Sequence, residues 1–559
     1  MNSVRVFRQM LVWPLYLVGV GQGQTDIAGD EVAQRLVAAG WVEEPDRMLR
    51  GGNDQAAAYA EFVYFHPFVQ RFLYDSSSPL RLFSCSGVAA LQVDTFLKGE
   101  KITACLAIER LHLHLFAEMA TVLCVIELSA EDLPLPQAQN LLDQVRRAYP
   151  PYWNDQGHAG HCPGRVVLID AEGNKVEYST YTETREQPLD FLRRHGQPQA
   201  AEHWRQLLQP FTWERVSQED GRRIAVRHIM DDRMPHMACL AFEAPCALTR
   251  GDMIRLGFAD DQGSRTTLPY AEKFLHDFEQ RHCYDRFWGE DHEPRWLSTR
   301  YVITEYAFTI IGCDDRESKW PMFTNEKTGI LCHFRRHYFQ LFLIALLYRA
   351  SLLILADRLA AKIEDLRRKT SRDRERFADD ARAILEQLQI FTHRYWFAEV
   401  SNLVQGKELF QRILREQGTT KLYERVSRAS QELNELLETE FQRRDAELTA
   451  RLTVVAAVGL VLSLVTGYFG METILPGSGK GQEASPVLHG CLASHHSAES
   501  WWSSVLWPGD LRSLGVVLAL FFAIFFLSIL FSRWLARGID WLASIVKRLE
   551  RRRWRREEG

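Results

Sequence analysis

The residues with the clearest chemical potential stand at the end of an apolar run, in the string TGYFGME from Thr466 to Glu472. Two glycines bracket a pair of aromatic residues. A carboxylate, Glu472, then stands where the chain enters a Pro- and Gly-containing segment. Acidic side chains at the mouth of a membrane segment attract cations, and rings of such side chains line cation channels. The chemistry offered at this position is therefore cation attraction.

Metal-ligating side chains are also frequent in the segment that follows, residues 470–512. Histidine and cysteine together suit Zn2+ and related ions. The residues concerned are His489, Cys491, His495 and His496, with Glu483, Glu499 and Asp510. Two interpretations remain open. The segment either gathers metal ions, with Glu472, His489, His495 and His496 as ligands, or is an ordinary polar loop whose tryptophans lie at a membrane interface.

A second group of possible ligands lies far from this segment, in the string GHAGHCPG. It contains His158, His161 and Cys162. A structural zinc site requires four ligands, and no fourth ligand is near in the sequence. We therefore interpret this string as a loop in which the two imidazoles are incidental.

Two uncharged runs are long enough to cross a membrane, residues 452–469 and 513–534. About 20 apolar residues span the roughly 30 Å of hydrocarbon. A third apolar run, Tyr338–Ala356, contains Gln340 and Arg349. Because an arginine near the middle of a span costs at least about 2.5 kcal/mol, we interpret the third run as a buried helix outside the membrane.

The distribution of basic residues predicts the orientation of the two spans. The tail 535–559 is rich in arginine, and further arginines precede residue 452. Segment 470–512 contains only Lys480 and Arg512 as basic residues. Basic residues concentrate on the cytoplasmic side, so both termini are predicted to be cytoplasmic and segment 470–512 to lie outside.

Residues 1–330 alternate between strand and helix patterns and predict an α+β cytosolic domain; a division into two subdomains near 195–220 remains open. The N-terminal apolar run predicts a first strand. The runs 101–116 and 120–128 predict paired antiparallel strands, and residues 165–181 a hairpin. Residues 134–153 predict a helix closed by Pro150-Pro151. Residues 247–261 and 300–311 predict further strands.

From Gly329 onward the pattern is helical. Residues 331–417 predict a helical hairpin whose seam repeats at 4-3-4-3 spacing. The seam residues are Phe377, Ala381, Ile384, Leu388, Phe391 and Tyr395. A break is expected at Gly418, with Thr420 a candidate N-cap. A stalk helix over 418–451 then continues without proline into the first span.

This arrangement resembles CorA-type divalent-cation transporters and their ZntB-like relatives. Those proteins have a large cytosolic domain, a stalk helix and two C-terminal spans, the first ending in a Gly-Met-Asn motif. Here the string Thr466 to Met471 is a close match, and the general layout covers the whole chain. The resemblance implies an α+β cytosolic domain, a long stalk helix, two C-terminal transmembrane helices and a homopentamer in a bacterial inner membrane.

The resemblance also implies roles for individual residues. Gly470, Met471 and Glu472 take the position of the motif that holds an incoming hydrated cation. On one helical stripe, Ser463 would form a second hydration site, and Leu460 and Leu452 would form hydrophobic constrictions. The same stripe contains Gly467 and Ala456. A neighbouring stripe through Thr466, Leu462 and Gly459 fits nearly as well, so the pore-facing phase stays open.

Two departures from the family pattern affect the expected ion. Glu472 replaces the family's Asn, and a ring of carboxylates shares protons and attracts cations more strongly than amides do. The loop 470–512 is also longer than is typical of the family. The transported cation is therefore left open between Mg2+, Zn2+ and related ions, and no other cofactor is expected.

Composition limits the alternatives. A net charge of −5 gives no general attraction to nucleic acid. Because no GxxxxGK[ST] string or nucleophile constellation is visible, we expect neither an enzyme nor an ATP-driven pump. The leading hypothesis is a cation channel. The alternatives are a sensor or signalling effector whose cytosolic domain binds a small molecule and gates the pore, and a non-conducting membrane scaffold.

Overall fold

The computed structural model describes residues 3–19, 28–48, 55–97, 100–155, 157, 159–178, 186–215, 223–264, 267–289, 298–368 and 373–472. The chain divides into two compact units, Met1–Asn434 and Glu435–Gly559. The first unit is built from strands and helices. The described part of the second unit is helical.

Fourteen strands of the first unit form one sheet. The strands are β1 (Ser3–Leu17), β2 (Val42–Glu43), β3 (Leu80–Ser84), β4 (Val88–Leu97), β5 (Glu100–Phe116), β6 (Thr121–Pro134), β7 (Arg165–Asp170), β8 (Lys175–Tyr178), β9 (Phe211–Thr212), β10 (Ile224–His228), β11 (His236–Phe242), β12 (Cys283–Trp288), β13 (Ser298–Ile303) and β14 (Ala307–Cys313). Their main order is β12-β13-β14-β11-β1-β6-β5-β4-β7-β8.

The first ten helices in chain order lie in the first unit. They are α1 (Gly29–Ala38), α2 (Gln55–Tyr64), α3 (Pro67–Tyr74), α4 (Leu135–Gln144), α5 (Glu186–His195), α6 (Glu202–Leu207), α7 (Arg250–Phe258), α8 (Glu272–His282), α9 (Ile330–His333) and α10 (Phe339–Arg368). They are followed by α11 (Asp373–Ile390), α12 (Val404–Glu416) and α13 (Thr419–Glu472). Two π-helical turns, Phe334–Tyr338 and Phe391–Tyr395, adjoin α10 and α11.

The N-terminal strand β1 organises the sheet. It pairs antiparallel with β6, β10 and β11. Successive side chains of a strand point to opposite faces, and Arg8 and Gln9 follow this rule. Gln9 donates to Leu142 O on α4 at 3.2 Å, while Arg8 pairs with Glu109 and Glu326. Helices α4 and α10 both pack against β1, so both faces of this strand are covered, which explains its nearly continuous apolar sequence.

Several sequence predictions for the first unit are confirmed. The N-terminal run is a strand, and β5 and β6 pair antiparallel. The hairpin of β7 and β8 and the paired strands β13 and β14 also form. Strands before and after residues 195–220 belong to the same sheet, because β10 and β11 pair with β1. The sheet therefore does not divide into two subdomains at this segment.

Two predictions for local structure are wrong. Residues 247–261 contain helix α7 rather than a strand. The Thr249 side chain caps this helix by accepting a hydrogen bond from the Asp252 backbone N–H. In turn, the Asp252 carboxylate accepts a hydrogen bond from the Thr249 backbone N–H. This capping box fixes the start of the helix. Because most residues of α7 are buried, its sequence lacks the alternation of apolar and polar residues that marks a helix with one exposed face. Helix α4 ends at Gln144 rather than at Pro150, because Arg147 forms a β-bridge with Arg233.

The helical region behaves largely as its sequence pattern indicates. Ala381, Ile384, Leu388, Phe391 and Tyr395 are all buried, which confirms the seam wherever its side chains are described. The third apolar run is a buried helix, with 83% of its most apolar window inside the unit. Its polar residues have partners there. Arg349 pairs with Glu305 at 2.5 Å, and Gln340 donates to Glu61 at 3.0 Å.

Helix α13 begins at Thr419, directly after Gly418, whose φ of +66° ends the preceding helix. The prediction that Thr420 is the N-cap is therefore wrong, because Thr420 lies within the first turn. The helix continues for 54 residues. By length and composition, two helical stretches of the described chain could cross a membrane, Ile330–Ala361 and Thr419–Thr466. The predicted second span, 513–534, lies outside the described residues, as do most of loop 470–512 and the tail 535–559.

Candidate functional sites

The C-terminal part of α13 is an apolar helix surface with no covering in the described structure. None of its most apolar window is buried, in contrast to the equivalent window of Ile330–Ala361. Leu452 and Val455 are each 68% exposed, and Leu460 and Leu464 are 63% and 66% exposed. Water does not suit such a surface, so this stretch of helix is suited to lipid or to packing against other chains.

The predicted pore residues all belong to this one helix. Leu452, Ala456, Leu460 and Ser463 are spaced by four, four and three residues, so they lie along one side of α13. The last turns contain Gly467, Gly470, Met471 and Glu472. A helix with 1.5 Å rise per residue separates Leu452 from Glu472 by about 30 Å, which is the thickness of the hydrocarbon layer.

Hydroxyl groups within this apolar stretch are satisfied by the helix itself. Ser463 Oγ donates to Gly459 O at 2.8 Å, and Thr466 Oγ1 donates to Leu462 O at 2.8 Å. Such bonds to the preceding turn remove the cost of an unpaired hydroxyl donor away from water. The oxygen atoms keep lone pairs that can accept hydrogen bonds from a hydrated ion or from another chain.

The proposed ligands of the loop after α13 lie beyond the described residues. These are His489, His495 and His496. Of the metal-ligating residues predicted near the span, only Glu472 falls within a described element, as the last residue of α13.

A second polar site involves the string GHAGHCPG in the first unit. His158 lies outside the described residues, but His161 contacts a carboxylate that the sequence pattern did not suggest. His161 Nδ1 lies 2.6 Å from Oδ2 of Asp143, and Asp143 belongs to the last turn of α4. Arg147 Nη2 donates to the other oxygen of Asp143 at 2.5 Å. The Asp143 side chain is only 1% exposed, whereas that of His161 is 33% exposed.

The loop that holds His161 is fixed by its neighbours. The Gly160 N–H donates to Tyr152 O at 2.9 Å, and the Tyr152 ring packs edge-on against His161. A Cβ atom at residue 160 would lie 2.4 Å from the Tyr152 ring, so only glycine allows this close approach. The imidazole is therefore held against α4 rather than free in a loop.

The third member of this site is Asp261, which follows α7. Side-chain ligand atoms of Asp143, His161 and Asp261 lie within 4.8 Å of one another. We refer to these three residues as the Asp-His-Asp cluster. The sequence pattern did not indicate Asp143 or Asp261 as ligands, because neither is near His161 in the chain. No local motif links either aspartate to His161.

The charges around the cluster shift its pKa values. Burial raises the pKa of Asp143, but the hydrogen bond with His161 and the charge of Arg147 outweigh this effect and lower it. The hydrogen bond with Asp143 raises the pKa of His161. Burial and the charge of Asp143 raise the pKa of Asp261 and of Asp260. The cluster thus concentrates negative charge in a partly dry environment.

A separate cavity of about 950 Å³ lies beside the π-helical turn Phe334–Tyr338. Its lining combines aromatic, imidazole and amide groups with a partly exposed aliphatic rim. The lining residues include Tyr64, His66, Arg286, His333, His337, Tyr338, Leu403, Val404 and Gln405. This size and mixture of groups are typical of pockets that bind small molecules, and π-helical turns often occur at functional sites.

The polar groups of this cavity are held in place by mutual contacts. The rings of Tyr64 and His337 lie 4.5 Å apart, and those of His333 and His337 lie 4.7 Å apart. Gln405 donates to the Tyr338 hydroxyl at 2.9 Å. Burial lowers the pKa of His333 to about 4, so this imidazole is neutral at pH 7 and offers both a donor and an acceptor.

Another cavity of about 880 Å³ is lined by three arginines. Each of these arginines already meets a glutamate of the same lining. Arg35 pairs with Glu31, Arg205 with Glu202 and Arg223 with Glu214. The charges of this cavity are therefore internally compensated, and the cavity beside the π-helical turn is the better candidate for a ligand.

Comparisons of the chain with protein-family models, with curated proteins and with solved structures find no match.

Proposed function

We propose that this protein is a membrane channel for divalent cations, in which residues 452–469 of five identical chains surround a pore in the manner of CorA-type transporters. The observation that carries the proposal is the unburied apolar stretch of α13, which continues without a break from a charged helical segment and ends in Gly-Met-Glu. Residues 513–534 would form the outer ring of the pore, facing lipid, with both termini cytoplasmic.

The energetics of α13 support a membrane location. Large aliphatic side chains project on every side of its apolar stretch. Leaving one such side chain in water costs roughly 1.5–3 kcal/mol relative to full burial. Those more than half exposed in this stretch are Leu452, Val455, Leu460, Val461 and Leu464. A helix of this kind is stable only when lipid or other chains cover it.

The chemistry of one side of α13 supports conduction. In the pore that we propose, Glu472 forms an acidic ring at the outer mouth and attracts cations. Ser463 then offers its oxygen to the water shell of the ion, while Leu460 and Leu452 narrow the path and gate it by excluding water. Five carboxylates close together share protons, so their effective charge depends on the ion that is present.

An ion-flux assay tests this proposal. The purified protein is reconstituted into liposomes that contain a metal-sensitive dye, and Mg2+, Zn2+, Ni2+ and Co2+ are compared in parallel. We expect uptake of at least one of these ions above that of protein-free liposomes. Because no nucleotide-hydrolysis motif is visible, uptake should follow the ion gradient and membrane potential without ATP. No uptake of any of the four ions would contradict the proposal.

A second candidate function is a sensor or signalling effector whose first unit binds a small molecule and gates the same pore. The cavity beside the π-helical turn favours it, because its volume and fixed polar groups suit a ligand of moderate size. Here ion flux would require a ligand. Filling the cavity with Leu403→Trp should abolish the ligand dependence without changing the apolar stretch of α13.

The flux assay also separates these candidates from a non-conducting scaffold. A channel gated only by ions conducts when purified. A sensor conducts only after a cell-derived small-molecule fraction is added. A scaffold remains closed under both conditions.

A further inference from the structure

The Asp-His-Asp cluster lies in the first unit, where three segments that are distant in sequence meet. Asp143 comes from the last turn of α4, His161 from the loop before β7, and Asp261 from the segment after α7. Three ligand atoms within 4.8 Å of one another are close to the geometry of a shared ion. The ligand atoms of a tetrahedral zinc ion lie about 3.3 Å apart, so the side chains of the cluster would move by roughly 1.5 Å to close around one ion.

Two helices end at this cluster. Helix α4 ends at Gln144 and helix α7 ends at Phe258, and the two helices contact each other. The C-terminal end of a helix carries partial negative charge and favours cations. Carboxylates are unfavourable at such a position unless a positive group is nearby. The partial negative charge at the C-terminal ends of α4 and α7 thus adds to the attraction that Asp143 and Asp261 exert on a cation.

An independent observation comes from Arg146, which is 2% exposed. Its Nη2 donates to Phe258 O and Ala259 O at 3.4 and 3.3 Å. Its Nε and Nη1 have no acceptor among the described residues. Electrostatically it interacts with both Asp143 and Asp260. Buried guanidinium donors without an acceptor cost free energy, so a water or an anionic group beside Arg146 would be stabilising.

We propose that Asp143, His161 and Asp261 bind a divalent transition-metal ion such as Zn2+ or Mn2+. One imidazole nitrogen and two carboxylate oxygens are a ligand set that such ions accept. Three protein ligands leave a coordination position for water or an anion, and that group is the acceptor for the free donors of Arg146. This site is separate from the pore residues and belongs to the first unit alone.

The neighbouring arginine is compatible with the proposed site. Arg147 donates to Asp143 Oδ1, whereas His161 faces Oδ2. Asp143 can keep the arginine on Oδ1 while an ion takes the place of the proton between Oδ2 and His161 Nδ1, and that proton is released to water on metal binding. Arg147 then orients the ligand, as partners of metal-bound carboxylates commonly do. His161 is one-third exposed, which gives an ion access to the cluster.

Metal binding by the purified full-length protein tests the proposal. The protein is treated with a chelator, dialysed against low concentrations of Zn2+ or Mn2+, and its bound metal is measured by mass spectrometry. The key variant is Asp261→Asn, because the Asp261 side chain is partly exposed and has no hydrogen bond among the described residues. We expect it to bind one ion per chain fewer than the wild type, with affinity at the site reduced more than about tenfold.

Two controls make the result specific. Asp260→Asn changes the adjacent carboxylate, which is outside the cluster, and should retain the ion. Glu472→Ala removes the proposed pore ligand and should also retain the ion in the first unit, which separates this site from conduction. His161→Gln should behave like Asp261→Asn. Equal metal content in the wild type and in folded Asp261→Asn would overturn the proposal, whether or not the protein conducts ions.

Discussion

The carboxylate of Glu416 accepts a hydrogen bond from Arg281 Nε at 2.9 Å, at the end of α12 and just before α13 begins. The Glu416 side chain is 1% exposed and also meets His282 at 3.3 Å and Arg415 at 2.7 Å. Nearby, the Arg349 guanidinium donates to Gln417 O. The start of α13 is therefore tied to α8 and α10 by charged groups of the first unit.

Replacing Glu416 by glutamine should loosen this junction. A hydrogen bond to a charged group contributes roughly 1.5–3 kcal/mol when its partner is buried. Arg281 and Arg415 are 61% and 54% exposed, so solvent compensates part of the loss, and we expect a destabilisation of about 1–2 kcal/mol. Thermal unfolding of the purified protein should show a midpoint lowered by several degrees.

The matched control for this variant is Glu408→Gln on the same helix. Glu408 is 45% exposed and pairs with Arg286 at 3.5 Å. Exposed pairs of this kind contribute about 0–1 kcal/mol. Glu408 also accepts a hydrogen bond from the Tyr284 hydroxyl at 2.5 Å, which the side-chain oxygen of glutamine can still accept. If the two variants unfold at the same temperature, the junction at Glu416 does not stabilise the unit as we infer.

Buried Glu127 should make the stability of the first unit depend on pH. Burial raises its pKa, but the charges of Arg110, Arg335 and Arg8 outweigh this effect and hold it below the ordinary value of 4.5. A group with a lowered folded-state pKa stabilises the fold above its unfolded-state pKa, and this contribution is lost as pH falls through the folded-state pKa. Glu127→Gln should therefore be less stable than the wild type at pH 7, by roughly 3–5 kcal/mol.

The pH dependence distinguishes this effect from a packing defect. The stability difference between Glu127→Gln and the wild type should shrink as the pH is lowered below 4.5. Unfolding temperatures measured from pH 7 down to the acid limit of the native state test this. Glu177→Gln, in which an exposed pair is lost, should change little at any pH. A difference that stays constant with pH would indicate packing alone.

The fold of the first unit was predictable where one pattern dominates. Strand β5 alternates in polarity over part of its length. Strand β6 and the N-terminal run are largely apolar instead, and most of their residues are buried. Helix α7 was not recognised, because burial on most sides removes its amphipathic period. Its capping residues Thr249 and Asp252 were the signal that could have identified it.

The candidate sites differ in how far the sequence reveals them. The apolar stretch of α13 and Glu472 are local features and can be read directly. The Asp-His-Asp cluster is assembled from three distant segments, so the sequence indicated only one of its members, His161, in a string that also contains His158 and Cys162. The cavity beside the π-helical turn likewise combines residues from α2, α12 and the turn itself. Tertiary contacts of this kind leave no local pattern.

Glu472→Ala should reduce cation uptake or change the order of preferred ions, while leaving the assembly intact. The reason is that an acidic ring at the pore mouth raises the local concentration of cations. Flux of Mg2+, Zn2+, Ni2+ and Co2+ into liposomes measures both effects. Glu447→Ala is the control, because Glu447 is an exposed carboxylate on the same helix outside the apolar stretch. Unchanged flux and ion preference in Glu472→Ala would remove Glu472 from the mechanism.

A bulky side chain should identify the pore-facing side of α13. Gly467→Trp is expected to block flux by filling the pore, whereas Gly459→Trp, on the neighbouring stripe, should conduct. An added side chain at Gly459 meets nothing within 4 Å in the structure, so that substitution does not disturb the chain itself. Block by Gly459→Trp with conduction through Gly467→Trp would assign the pore to the stripe of Thr466, Leu462 and Gly459.

We propose that residues 452–469 of several chains surround a water-filled path, and an experimental image of the assembly in a lipid nanodisc is the decisive test. We expect five-fold symmetry, with these helices around the axis, Glu472 at one mouth and residues 513–534 in an outer ring. An assembly without rotational symmetry, or helices 452–469 that contact only lipid, would contradict it.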